Sequence, residues 1–106
     1  MRILFDQGTP VPLRKILTSH QVETAFERSW STLTNGELLA AAEQEGFEVF
    51  VTTDRNLQDQ QNLVGLRIAI VVLSSTSWTR IEKAATAIKQ ALDATSPGSF
   101  KEVSIP

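Results

Sequence analysis

The chain has 106 residues, 42% of them hydrophobic and 21% charged, the profile of one ordinary globular domain that can bury a core without staples. It has no cysteine and one histidine, which excludes disulfides, thiolate metal sites and a histidine-rich zinc site. A net charge of −2 lacks the basic footprint of a dedicated nucleic-acid-binding domain, although Arg14, Lys15, Arg28, Arg55 and Arg67 could form a local basic rim or be scattered solvated charges.

No apolar run approaches the roughly 18 residues of a membrane span; the longest is Ile68 to Leu73. Asp6 interrupts the N-terminal apolar stretch too early for a signal-peptide core, so a cytoplasmic location is expected.

Taken in order, Arg2 to Phe5 reads as a first strand, followed by a turn through Asp6-Gln7-Gly8. Thr9 is placed to cap a helix with Pro10 at its first position. That helix runs from Pro10 to Ser19 and buries Leu13, Ile16 and Leu17. Gln21 to Phe26 forms a second strand, with Val22, Thr24 and Phe26 on one face. Glu27 to Leu33 is a polar loop that carries Trp30.

A second helix opens at Thr34-Asn35-Gly36-Glu37 and stops at Gly46, where a C-terminal glycine is favoured. Glu48 to Thr52 is the third strand. Asp54 to Asn62 forms a short polar helix. Leu66 to Leu73 is the strongest strand, and its unbroken apolar run predicts burial on both faces near the middle of a parallel sheet. A long helix covers Thr79 to Thr95, with Ile81, Ala84, Ala85, Ile88 and Leu92 at helical spacing. Ser96-Pro97-Gly98-Ser99 breaks it before a terminal strand, Phe100 to Ile105. The alternation predicts a single α/β domain over residues 1–106, with a mainly parallel sheet of about five strands and helices on both faces.

The chemistry lies in the carboxylates. Asp6 and Asp54 each follow a strand, and in open α/β sheets ligands bind beyond the carboxyl ends of strands. Glu37, at the start of the second helix, falls on the same rim if the crossover is right-handed. Clustered acids of this kind suit a hard cation such as Mg²⁺, which can polarise a phosphate and activate a water. Asn35 could add a neutral oxygen or position a water. Each acid also has a simpler reading. Asp6 can be a turn residue, Asp54 a helix cap, and Thr34-x-x-Glu37 a capping box. The glycines are isolated, so no phosphate loop is present. His20 has no serine motif beside it.

Three segments resemble the small PIN-like proteins grouped with toxin–antitoxin toxins and with the Mut7-C domain. They are Ile3-Leu4-Phe5-Asp6-Gln7-Gly8-Thr9-Pro10, Asn35-Gly36-Glu37-Leu38-Leu39-Ala40-Ala41-Ala42 and Val51-Thr52-Thr53-Asp54-Arg55-Asn56-Leu57. The resemblance covers residues 1–75 and, more loosely, the rest. It implies a Rossmann-like three-layer PIN-like fold and Mg²⁺- or Mn²⁺-dependent RNA cleavage. It also implies an antitoxin protein as partner and self-association as a homodimer. On this reading Asp6, Glu37 and Asp54 hold the metal, and Asn35 joins them in the catalytic set. Arg14, Arg28 and Arg55 are candidates for phosphate contacts, and Trp30 could stack on a base or cover the edge of the core. Asn35 stands where the family usually has an aspartate, which removes one negative charge. The alternative is a catalytically weakened module that binds RNA or protein.

Overall fold

A computed structural model describes residues 1–106. The buried apolar runs form five parallel strands: β1 (Arg2–Phe5), β2 (Gln21–Thr24), β3 (Val49–Thr52), β4 (Ala69–Leu73) and β5 (Phe100–Val103). Their order across the sheet is β2-β1-β3-β4-β5. The chain moves outward from β1 to β2, then returns past β1 to β3. The switch point therefore lies between the carboxyl ends of β1 and β3, where this class of sheet opens a crevice.

Side chains alternate across the sheet as strand geometry requires. Ile3, Phe5, Val49, Val51, Ala69, Val71 and Leu73 face one side. They pack there under a 3-10 helix (Val11–Lys15) and the helices α3 (Trp78–Lys83) and α4 (Ala85–Asp93). Leu4, Phe50, Ile70 and Val72 face the other side, against α1 (Asn35–Gln44) and α2 (Leu57–Gln60). The three-layer, Rossmann-like arrangement expected from the sequence is the one found. No helix is long and apolar enough to cross a membrane.

The β2-to-β3 and β4-to-β5 connections advance in the same direction across this parallel sheet, yet their helices cover opposite faces. The two crossovers therefore have opposite hands, and one departs from the right-handed rule.

Several elements differ from the sequence expectation. The first helix is a five-residue 3-10 turn rather than Pro10 to Ser19. Its bonds run from Leu13 N to Pro10 O (3.1 Å) and from Ile16 N to Leu13 O (3.0 Å). Thr9 does not cap it; its hydroxyl goes to Asp6. β2 ends at Thr24, because the chain turns there and leaves Phe26 79% exposed. The long helix is two helices, broken at Ala84 (φ −97°, ψ 15°). The break lets α3 lie on the 3-10 helix while α4 lies against β5. The α1 terminus does follow expectation. Gly46 takes φ 80°, and Phe47 N returns to Ala42 O at 3.0 Å, closing the helix with a Schellman turn.

Candidate functional site

The register pairs Phe5 with Val51, so the residues that leave the ends of β1 and β3 emerge side by side. Asp6 N continues the ladder to Val51 O at 3.1 Å. The Asp6 side chain is only 5% exposed. Two threonine hydroxyls hold it: Thr9 Oγ1 donates to Oδ1 at 2.6 Å and Thr52 Oγ1 to Oδ2 at 2.5 Å. Asp6 takes part in no ion pair. A carboxylate offers about four lone-pair sites, so each oxygen keeps capacity for one more partner. A buried acid served by two hydroxyls and no cationic side chain is an arrangement that a bound cation would complete.

Asp54 lies two residues beyond β3 and is partly buried. Its backbone N–H donates to Thr52 Oγ1 at 3.0 Å. Its Oδ1 accepts from Asn56 N at 3.0 Å, the turn an aspartate makes two residues on. Its Oδ2 accepts from Asn35 Nδ2, also at 3.0 Å. Thr52 thus bridges the two acids, donating to Asp6 and accepting from the Asp54 backbone. Asn35 is the first residue of α1, and its Nδ2 is committed to Asp54. An amide at this position satisfies the carboxylate without adding charge. A second carboxylate here would repel Asp54.

Asp6, Asn35 and Asp54 share a cleft of about 400 Å³ with Gln7, Gly8, Leu33, Leu38 and Thr53. The Gln7 amide ties the wall of this cleft to Ser31 O in the loop before α1. Gly8 passes so close to Thr53 Oγ1 that a β-carbon there would collide with it.

Glu37 does not line this cleft. It is exposed, and its Oε1 accepts from Thr34 N at 2.9 Å while its own N donates to Thr34 Oγ1 at 3.2 Å. The capping box is complete. These bonds from Thr34 hold its pKa below the ordinary carboxylate value. The expected cluster of three acids is therefore not assembled, and no group of three or more His, Cys, Asp or Glu side chains comes together. The reason is angular. Successive residues of a helix turn by about 100°, so Asn35 and Glu37 point to different sides of α1.

The expected phosphate contacts are also engaged elsewhere. Arg14 grips Glu27 with both guanidinium ends, at 2.6 and 3.0 Å. That grip, with the Thr24 N–H, holds the Glu27 pKa below its usual value. Arg28 pairs with Glu23 and Glu45, each at 3.5 Å, and lies 4.8 Å over the Trp30 ring. Trp30 meets Phe47 edge-on at 6.3 Å and packs on the core beneath α1. Arg55, beside Asp54 in sequence, reaches Glu102 at 3.3 Å. None of these four lines the cleft. Asp59 is exposed on α2 and lies outside it as well.

Thr9, Thr52 and Gln7 have site roles that the sequence expectation lacks. The spacings Asp6-x-x-Thr9 and Thr52-x-Asp54 were the available signal, since both place a hydroxyl within a turn of a carboxylate.

No family model, curated protein or solved structure matches the chain.

Proposed function

We propose that the cleft at the ends of β1 and β3 hydrolyses RNA phosphodiesters with a bound Mg²⁺ or Mn²⁺, as a metal-dependent ribonuclease of the PIN-like type. The observation that carries this reading is the pairing of two acids across the switch point, one of them buried and without a cationic partner. Mg²⁺ is commonly held by one or two carboxylates, its remaining positions filled by water and substrate phosphate. The donor set Asp6 and Asp54, with the Asn35 carbonyl beside them, fits that habit.

When bound, the metal would neutralise charge on the phosphate and lower the pKa of a water. The chain's own residues supply the rest. Thr9 and Thr52 fix the Asp6 carboxylate before any ligand arrives. Asn35 and the Asn56 N–H fix Asp54. Asn35 Oδ1, free of protein partners, can accept a hydrogen bond from a water and orient it. A toxin role, with an antitoxin protein as partner and a homodimer as the assembled form, joins this reading through the resemblance alone.

A second reading has its own support. Asn35 is neutral and Glu37 is turned away, so the site is poorer in charge than three acids would make it. On that reading the domain binds RNA or protein without cutting.

The two separate in one assay. End-labelled single-stranded RNA is incubated with the protein in Mn²⁺ or Mg²⁺, in EDTA, and with Asp54→Asn. Cleavage that needs the metal and Asp54 supports the nuclease. RNA bound but left intact in either metal supports the binding module.

A further inference from the structure

The chain turns sharply after β2, and the turn is held on every side. Arg28 N returns to Thr24 O at 3.2 Å, Ser29 N to Phe26 O at 3.0 Å, and Trp30 N to Ala25 O at 2.9 Å. Glu27 Oε1 accepts from Thr24 N at 3.0 Å, and Glu27 N donates to Thr24 Oγ1 at 3.1 Å. The Arg14 fork then locks Glu27 in place. On this fixed backbone the Phe26 ring stands 79% exposed. With Val11, itself 54% exposed, it walls a hollow of about 140 Å³ whose polar lining is Asp6, Gln7, Thr9 and Thr24. Asp6 and Gln7 also line the cleft that holds Asp54. The hollow is therefore a side chamber of the candidate site.

Resting on the RNA reading above, we infer that Phe26 is a stacking platform for a nucleobase of single-stranded RNA whose phosphate lies at Asp6 and Asp54. Three observations favour this occupant. An apolar face beside a polar floor matches a base, which has an apolar face and a hydrogen-bonding edge. Gln7 commits its Nε2 to Ser31 O, which leaves Oε1 to accept from such an edge. The arginines nearest in sequence are all paired with glutamates, so phosphate neutralisation is a weak source of affinity here. Base–aromatic stacking is the remaining one, and it tolerates any base because each has a π-face. An apolar patch of two side chains is too small for a stable protein interface. Because no Lys or Arg lines the cleft or the hollow, binding should weaken only shallowly with salt.

The test uses the intact protein and a single-stranded RNA oligonucleotide carrying 2-aminopurine, whose fluorescence falls on stacking. Titrations in Ca²⁺, a hard cation that can neutralise Asp6 and Asp54 beside the phosphate, compare the unmodified protein with Phe26→Ala and Phe26→Tyr. The unmodified protein and Phe26→Tyr should bind with quenching. Phe26→Ala should bind about 5- to 150-fold more weakly, lose the quenching and keep its melting temperature. Equal binding by Phe26→Ala would overturn the platform. So would an equal loss in Phe26→Tyr, or no binding by the unmodified protein. Repeating the titration with Mn²⁺ separates the two claims. Phe26-dependent binding without cleavage would overturn only the nuclease reading. Cleavage indifferent to Phe26 would overturn only the platform.

Discussion

The Thr52 hydroxyl donates to Asp6 Oδ2 at 2.5 Å across the boundary between β3 and β1. The same oxygen accepts the Asp54 N–H at 3.0 Å. One fully buried side chain thus sets the position of both acids. Thr52→Val keeps the volume and removes both bonds, leaving a buried carboxylate oxygen and an N–H short of a partner. We expect a loss of about 1–3 kcal/mol, the cost of unpaired polar groups of this kind. Thr52→Ser should retain most of the bonding. Urea denaturation of the three proteins measures it.

Asn35 holds Asp54 through a neutral amide at 3.0 Å. Asn35→Asp replaces that donor with a second carboxylate. In EDTA the variant should be about 1–2 kcal/mol less stable than the unmodified protein, since a hydrogen bond to a charged group is lost and repulsion is gained. Added Mn²⁺ should reverse the deficit, because a ligand that binds only the folded state stabilises it. Thermal melts with and without Mn²⁺ show both effects.

Thr34 and Glu37 serve the start of α1. Thr34→Ala should cost about 1 kcal/mol, the usual value of such a cap. Glu37→Gln should cost less, because glutamine can close the same box. Chemical denaturation of the two variants orders them.

Acid should weaken the fold in a defined window. The folded-state pKa values of Glu27 and Glu37 are both lowered from 4.5. The cause is chiefly the Arg14 side chain for Glu27 and the Thr34 backbone N–H for Glu37. A depressed carboxylate contributes stability that is fully present above its unfolded pKa and is lost as pH falls through the folded one. The two contributions should therefore be unchanged between about pH 6 and 8 and decline below about pH 4.5. Glu27→Gln should flatten part of that acid limb in melting temperature against pH.

β1, β3 and β4 were legible because, apart from Arg2 and Thr52, their residues are apolar on both faces, and those apolar residues are buried in the sheet. Asp6, Asp54 and Asn35 could be placed at one rim from strand ends and a helix start. The end of β2 was not legible, because the alternation Val22, Thr24, Phe26 runs on past the point where Glu27 and Thr24 close a turn. The break at Ala84 carries neither glycine nor proline, and it is set by the two surfaces that α3 and α4 must each cover. Thr9 has the composition of a cap, but a buried carboxylate three residues earlier competes for its hydroxyl and wins. Glu37 satisfied two patterns at once, and the local one, needing only its own helix end, is the one formed.

The most direct test of a cation held between Asp6 and Asp54 is calorimetric titration of Mn²⁺ into the purified protein, beside Asp54→Asn and Glu37→Gln. Asp54 is the better probe of the two acids, since Asp6 is buried and its replacement would disturb folding. Saturable binding that is lost in Asp54→Asn and kept in Glu37→Gln is the predicted result. No saturable binding by the unmodified protein, or binding unchanged in Asp54→Asn, would contradict it.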